Sequence, residues 1–304
     1  MENEGPTSEQ VTRFYKDGCL HRTNGPAVIY SDGNKEWWEN GVLIRAYWAT
    51  SESHSMRYLC WFKDGARHRE DGPAIIYSDG SEKWYDNDIL HREDGPAVIW
   101  HDGTKEWFLN GTRHREYGPA ITYPNGGFEW YRDGEIHKED GPASFEPNEY
   151  EMWHFNNELH RVDGPAVINA DGSKQWWLNG KMHREDGPAV ILPDGTEEWW
   201  FNDKRHRVDG PAVIWDDGVT KEWWVNGERH REDGPAVIFA SGIKEEWWIN
   251  GKQHRKDGPA VILDDGAEEW WLNGERHRKD GPAITYSDGD EEWWINGKRR
   301  LEFE

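Results

Sequence analysis

The chain has 304 residues, a formal net charge of −23 and a mean hydropathy of −1.05, and 22 of its residues are tryptophan. A chain this polar could be disordered, but the tryptophans supply large apolar surfaces that disordered chains lack, so we expect an ordered protein. The negative charge argues against binding to nucleic acid or anionic lipid, because both require a positive surface. No apolar run is long enough for a transmembrane segment, and no secretion signal is present. The sequence predicts a soluble cytoplasmic protein.

Histidines, most of them followed by arginine, recur along the chain at intervals of 23 or 24 residues. A period of this length is typical of solenoids and related arrays, in which each repeat buries its apolar side chains against its neighbours. We predict one continuous domain over residues 1–304 with about twelve repeats, a degenerate repeat at 44–67 and caps near 1–20 and 298–304. The recurring histidines are His68, His91, His114, His137, His160, His183, His206, His230, His254 and His277.

Within one repeat, the elements follow in a fixed order. Ala189-Val-Ile191 is a short β-branched run, Asp194-Gly195 is a turn signal, and the run of glutamates and aromatic residues at 197–201 is a second strand candidate. The additional residue of two 24-residue repeats falls just after Gly218 and near Gly242, where a turn can absorb it. Glycine and proline recur too often for helices. The sequence therefore predicts an all-β fold, an elongated ribbon or solenoid with one antiparallel hairpin in each repeat.

Alternation along a strand places the first tryptophan of each pair and the residue after the pair on one face, as for Trp199 and Phe201. We predict that this face forms the core. The second aromatic residues occupy the opposite face, where they either stabilise the sheet through cross-strand pairing or offer a platform to a ligand. This candidate binding ladder comprises Trp177, Trp200, Trp224, Trp248, Trp271 and Trp294.

The His-Arg pairs form a second ladder. Arginine is expected to pair with the aspartate two residues on, and imidazole to bond to turn carbonyls, so that the ladder is structural. Equivalent histidines in adjacent repeats would lie about 9.5 Å apart, too far to share one zinc ion. We therefore predict no metal and no cofactor. Representative members of this ladder are His183, Arg184, Asp186, His230, Arg231 and Asp233.

Catalysis requires one constellation of polar groups unlike its surroundings, whereas this chain repeats its polar groups. The sequence thus predicts no enzyme activity. Two stretches are irregular, 44–60 and 144–154, and neither contains a recognisable catalytic motif. They represent either decayed repeats or sites of partner specificity. Cys19 and Cys60 belong to different repeats, so a disulfide framework is not expected.

Two segments, Trp248-Ile-Asn-Gly-Lys-Gln-His254 and Trp271-Leu-Asn-Gly-Glu-Arg-His277, resemble the Trp-x-Asn/Asp-Gly-x-x-His segment of MORN repeats. The similarity recurs along nearly the whole chain, although the Tyr-x-Gly of that family is replaced here by a segment rich in lysine and glutamate at 244–246. The resemblance implies an elongated hairpin ribbon, frequent dimerisation and a role in protein scaffolding. It also implies lipid binding in some members, against which the acidic balance argues.

Three non-enzymatic functions are compatible with these features. The first is a scaffold that binds protein partners, among which a second copy of the chain is one alternative. The second is carbohydrate or cell-wall recognition through the aromatic ladder, since Trp-Trp-x-Asn-Gly also resembles repeats of choline- and glucan-binding modules. The third is an acidic inhibitor that mimics DNA, for which the predicted charge density, roughly one charge per 5 Å, is low.

Overall fold

The structure is a computed structural model that describes residues 11–48, 57–240 and 245–300. In these ranges the chain forms strands and turns, without a helix long and apolar enough to cross a membrane. Contacts divide the chain into two compact units, Met1–Pro147 and Asn148–Glu304. The division falls in the irregular stretch at 144–154. The predicted all-β repeat fold of antiparallel hairpins is confirmed, while continuity of one domain across the division stays a prediction.

In each unit, the strands on either side of the Asp-Gly turns form an antiparallel sheet in which neighbouring strands are close in sequence. Val213–Ile214, for example, pairs with Glu197–Glu198 on one side and with Lys221–Glu222 on the other. Each repeat is thus stabilised mainly by its nearest neighbours, as in other repeat proteins. The sheet strands of the first unit are Val11–Arg13, Val28–Tyr30, Lys35–Glu39, Val42–Trp48, Tyr58–Lys63, Ala66–Arg67, Ile75–Tyr77, Glu82–Lys83, Val98–Ile99, Lys105–Glu106, Ile121–Thr122, Phe128–Glu129 and Ser144–Glu146. Those of the second unit are Tyr150–Met152, Val167–Asn169, Lys174–Gln175, Val190–Ile191, Glu197–Glu198, Val213–Ile214, Lys221–Glu222, Val237–Ile238, Glu245–Glu246, Val261–Ile262, Glu268–Glu269, Ile284–Thr285, Glu291–Ile295 and Lys298–Arg300.

A second hairpin, closed by an Asn-Gly turn or by another pair of Asn, Asp and Gly residues, follows in most repeats in addition to the predicted hairpin. Its turn has the left-handed backbone that Asn and Gly favour, as at Asn226 with φ 55° and Gly227 with φ 85°. In the first unit these hairpins are Tyr15–Lys16 with Cys19–Leu20, Tyr85–Asp86 with Ile89–Leu90, Phe108–Leu109 with Thr112–Arg113, and Tyr131–Arg132 with Glu135–Ile136. In the second unit they are His154–Phe155 with Glu158–Leu159, Trp177–Leu178 with Lys181–Met182, Trp200–Phe201 with Lys204–Arg205, Trp224–Val225 with Glu228–Arg229, Trp248–Ile249 with Lys252–Gln253, and Trp271–Leu272 with Glu275–Arg276.

The predicted second strand is interrupted at the first tryptophan of the pair. The Trp199 N–H donates to the Ala212 carbonyl at 2.8 Å, and the Trp199 carbonyl accepts from the His206 N–H at 3.0 Å. The backbone of this tryptophan therefore bonds to later residues rather than continuing the ladder of its own strand. Only then does the chain enter the second hairpin. At the C-terminal end of the second unit the same run is one continuous strand, Glu291–Ile295.

Alanine and the residue after it form the buried core, and the prediction of a tryptophan core is wrong. Ala212 and Val213 are both 0% exposed, whereas both tryptophans of the neighbouring pair at 199–200 are half-buried. The Ala212 N–H and carbonyl are both bonded to neighbouring strands, which brings backbones close together around this small side chain. The completely buried alanines are Ala27, Ala46, Ala74, Ala97, Ala120, Ala143, Ala166, Ala189, Ala212, Ala236, Ala260 and Ala283.

The turn after Trp215 absorbs an additional residue, as predicted for the position after Gly218. The Trp215 N–H donates to the Thr220 carbonyl at 3.1 Å, and the Asp217 carboxylate accepts the Val219 N–H at 2.8 Å. The second predicted insertion, near Gly242, lies outside the described residues. In the degenerate repeat, Val42–Trp48 pairs with Tyr58–Lys63, and residues 49–56 between them also lie outside the described part.

The two cysteines differ in environment, and we expect them to differ in reactivity. Cys60 is 2% exposed, and burial raises the pKa of its thiol to about 12, whereas Cys19 is exposed. At pH 8, about one Cys60 thiol in 10,000 would be the reactive thiolate. Iodoacetamide should label Cys19 and spare Cys60 in the native chain, as measured by peptide mass spectrometry. Both should react in urea, and equal native labelling would contradict the buried position of Cys60.

Candidate binding surface

In several repeats, an arginine in the loop after the second hairpin is held by three groups. The guanidinium carbon of Arg231 lies 4.0 Å from the centroid of the Trp223 ring. Its Nε donates to the Asp233 carboxylate at 2.9 Å, and its Nη1 donates to the Pro235 carbonyl at 3.2 Å. The predicted Arg-Asp pairing is therefore confirmed, here and for Arg184 with Asp186 at 2.9 Å. The stacking of arginine on the first tryptophan was not foreseen.

This stacking recurs with little variation, at 3.9 to 4.2 Å between the guanidinium carbon and the ring centroid. It covers one face of the first tryptophan with a cation, which explains why a half-buried tryptophan is retained outside the alanine core. The stacked pairs are Arg69–Trp61, Arg92–Trp84, Arg115–Trp107, Arg161–Trp153, Arg184–Trp176, Arg207–Trp199, Arg231–Trp223, Arg255–Trp247 and Arg278–Trp270.

The aspartates of these pairs make the stability of the fold depend on pH in the acidic range. The hydrogen bond from arginine holds the pKa of Asp186, Asp209 and Asp233 below the ordinary value of 3.8. A carboxylate with a lowered pKa in the folded state stabilises fully above its unfolded pKa and loses this contribution as pH falls through the folded pKa. We expect the thermal unfolding midpoint to decrease as the pH is lowered below 3.8. This decrease should be less steep at high salt, because the carboxylates are exposed and salt screens their interaction with arginine.

The matched variants for this measurement are Asp186→Asn, Asp209→Asn and Asp233→Asn combined, against Glu158→Gln, Glu228→Gln and Glu275→Gln combined. Both sets remove three exposed carboxylates, but only the first removes partners of the stacked arginines. The aspartate variant should lose part of the acid dependence measured by thermal unfolding from pH 2.5 to 6. An equal loss in both variants would assign the effect to net charge alone.

The histidines connect each loop to the Asn turn of the next repeat. The Nδ1 atom of His230 accepts the Asn250 N–H at 3.2 Å and lies 2.8 Å from the Asn250 side-chain oxygen. His183 lies in the same way 3.1 Å from the side-chain oxygen of Asn202. The predicted structural role is supported, but the partner of His230 in the turn is a backbone N–H rather than a backbone carbonyl.

The second tryptophans are held by the side chain two residues earlier and, in several repeats, by arginines of the second hairpins. Trp224 donates from Nε1 to the Glu222 carboxylate at 3.0 Å, and Arg229 donates to the same carboxylate at 3.2 Å. The Arg229 guanidinium carbon also lies 5.3 Å from the Trp224 ring centroid and 5.5 Å from that of Trp248. Arginine thus occupies the space between successive rings, and the ladder is built as a sheet-stabilising lattice.

The same pattern includes all six predicted ladder residues, each half-buried and each donating from Nε1 to the side chain two residues earlier. These bonds support the sheet-stabilising interpretation over an open aromatic platform. The glutamates were missed as ladder partners, although their regular position two residues before the second aromatic was a usable signal. The bonds are Trp177–Gln175, Trp200–Glu198, Trp224–Glu222, Trp248–Glu246, Trp271–Glu269 and Trp294–Glu292.

Open grooves lie instead between successive His-Arg loops, with a first tryptophan at the floor. One groove of about 630 Å³ lies between residues 184–188 and 206–209, over Trp199 and Phe201. A groove of about 540 Å³ lies over Trp247 and Ile249. In the first unit, a groove of about 270 Å³ lies over Trp130. These three concave surfaces therefore lie on the loop side of the repeats, which differs from the predicted second-aromatic surface.

The residue between arginine and aspartate projects from the tip of each loop. It is a carboxylate in several loops, with Glu185 81% exposed and Glu232 85% exposed, and valine in two, with Val208 82% exposed. Sequence reasoning missed these tip residues. The available signal was their variation inside an otherwise uniform His-Arg-x-Asp-Gly loop. The grooves and tips together form the candidate binding surface, which we call the loop surface.

Among residues 11–48, 57–240 and 245–300, no group of three or more His, Cys, Asp and Glu side chains is placed to hold a metal ion. No protein-family model matches the chain, and no curated protein matches it. The resemblance to MORN repeats therefore stays a prediction.

Proposed function

We propose that the chain is a non-enzymatic repeat scaffold that binds protein partners through the loop surface. The observation that carries this proposal is a recurring construction, in which a groove with a tryptophan floor lies between two loops whose basic side chains stack on tryptophan and whose tips are exposed. Repetition of one surface suits an extended partner that contacts several repeats at once. A cytoplasmic location, proposed from the sequence, suits such a partner.

The charge of the loop surface indicates the chemistry of that partner. The loop arginines are each engaged with tryptophan and a proline carbonyl, whereas tip glutamates such as Glu185 and Glu232 are exposed to solvent. With a net charge of −23, the chain as a whole attracts cationic proteins and repels acidic ones. We expect the partner to present a basic surface, and its affinity to fall with salt.

The test compares two variants of equal net charge. The loop variant combines Glu93→Gln, Glu116→Gln, Glu185→Gln and Glu232→Gln, all at loop tips. The control variant combines Glu135→Gln, Glu158→Gln, Glu228→Gln and Glu275→Gln, all exposed residues of the second hairpins. Both and the wild-type chain would be used for capture from native lysate with quantitative mass spectrometry, followed by binding measurements on each purified partner.

We expect at least one partner to be retained by the wild-type chain and by the control variant but lost by the loop variant. The affinity of the loop variant for that partner should be about tenfold lower than that of the wild-type chain at low salt. Mass measurement in solution determines whether that partner is a second copy of the chain or a different protein. Equal retention by the two variants would remove the loop surface as the binding surface. Failure of the full chain to retain any protein would contradict the scaffold function.

A further inference from the structure

We propose that the groove between residues 184–188 and 206–209 receives one apolar side chain from an extended cationic polypeptide. This inference rests on the proposed scaffold function and names the repeat at which the partner is anchored. The groove has a volume of about 630 Å³, which accommodates a side chain with part of its backbone. Its lining combines an aromatic floor, an apolar wall and an exposed carboxylate on the opposite wall, and among the three grooves only this one contains a phenylalanine and a tip valine.

The floor is Phe201, whose side chain is 42% exposed and lines the groove. Its ring centroid lies 4.6 Å from that of His183 and 5.9 Å from that of His206, so histidines on both sides hold the ring in place. The corresponding residues of the adjacent repeats are aliphatic, Leu178 and Val225. A fixed, partly exposed aromatic ring is a suitable contact for an apolar side chain, because little side-chain entropy remains to be lost on binding.

The apolar wall is Val208, which is 82% exposed at the tip of its loop and also lines the groove. The adjacent loops carry glutamate there, Glu185 on one side and Glu232 on the other. A valine at a tip exposes apolar area with no intramolecular benefit. Because it lines the same groove as Phe201, it adds to the apolar lining of that groove.

The wall of the groove opposite Val208 carries an exposed negative charge, the carboxylate of Glu185. Glu185 is 81% exposed, and its carboxylate lies 3.8 Å from His183 Nε2, beyond hydrogen-bond distance. The neighbouring Arg184 is engaged with Asp186 at 2.9 Å and with the Pro188 carbonyl at 3.1 Å. Glu185 is therefore a carboxylate of this groove that is not bonded to an arginine and can accept a cation from the partner. An apolar side chain with a lysine or arginine close by in sequence fits both walls.

The probes are a fluorescein-labelled Lys-Lys-Leu-Lys-Lys peptide and the same peptide with alanine in place of leucine, measured by fluorescence anisotropy with the full chain. The leucine peptide should bind about fivefold more tightly, as burial of the additional apolar area predicts. Val208→Ser should weaken the leucine peptide about threefold and leave the alanine peptide unchanged. Val162→Ser is the matched control, because Val162 is a tip valine outside this groove, 81% exposed.

For the carboxylate, Glu185→Gln should weaken both peptides about threefold at low salt, and the difference from wild type should vanish at high salt. Glu232→Gln, at a tip outside this groove, should have a smaller effect. Equal affinity for the two peptides, or equal effects of Val208→Ser and Val162→Ser, would overturn the assignment.

These outcomes are separable from the scaffold proposal. If the loop variant loses its protein partner while Val208→Ser has no effect on the leucine peptide, the anchor is disproved and the scaffold remains supported. If Val208→Ser weakens the leucine peptide while the loop variant retains every protein, the groove is confirmed as a peptide site and the carboxylate-dependent scaffold is disproved.

Discussion

Replacement of Val213 by aspartate is expected to destabilise the second unit by about 3 to 5 kcal/mol, as an unpaired buried charge does. Val213 is 0% exposed and lies across the sheet from Glu198 on one side and Glu222 on the other. A carboxylate there would be buried between two existing carboxylates. Because neighbouring repeats share strands, we expect the loss to spread to them rather than stay local.

Val162→Asp is the matched control, since it makes the same chemical change at a position that is 81% exposed. Its effect should stay within about 0.5 kcal/mol, as for ordinary surface substitutions. Urea unfolding followed by circular dichroism, with hydrogen exchange to locate the weakened strands, measures both. Similar losses for the two variants would show that the column of alanine and valine is not the core.

Gly234→Ala is expected to cost about 2 kcal/mol by displacing one arginine from its tryptophan. A Cβ atom at Gly234 would lie 2.8 Å from the guanidinium carbon of Arg231, closer than side chains pack. Gly234 does not have a positive φ, so backbone strain is not the cause. The arginine would have to leave the Trp223 ring and the Pro235 carbonyl, the two contacts that hold the loop.

A double-mutant cycle isolates this effect. Arg231→Ala alone should cost about 2 kcal/mol, and Gly234→Ala added to it should cost less than about 0.5 kcal/mol, because the atoms it displaces are already absent. Unfolding free energies of the four proteins give the coupling directly. Additive losses would mean that Gly234 is required for a reason other than packing against Arg231.

Much of the fold follows from the sequence itself. The 23-residue period, the β-branched runs and the turn signals predicted antiparallel hairpins without helices, because turn residues and strand propensity act over a few neighbouring positions. The pairing of Arg231 with Asp233 was predictable for the same reason, since the two residues are two positions apart. The insertion after Gly218 was correctly placed because turns tolerate an additional residue and ladders do not.

The core and the binding surface were decided by tertiary structure. Alternation alone assigned Trp199 to the core, but the strand is interrupted at this residue, and its N–H bonds to Ala212 of the following repeat. No local pattern indicates that a small alanine, rather than a tryptophan, lies where the backbones come closest. The stacking of Arg207 on Trp199 likewise depends on how the loop folds back after the second hairpin.

Local sequence therefore determined which segments form strands and turns, since these depend on contacts between residues close along the chain. The tertiary structure determined which aromatic residues are enclosed by their own sheet and which lie beneath open grooves, because that depends on bonds between repeats. Trp224 and Trp223 are adjacent in sequence, yet one is held between Glu222 and arginine side chains of the sheet while the other supports a loop arginine. The physical reason is that the exposed fraction of a side chain is determined by the neighbouring repeats that pack against it and not by the type of residue alone.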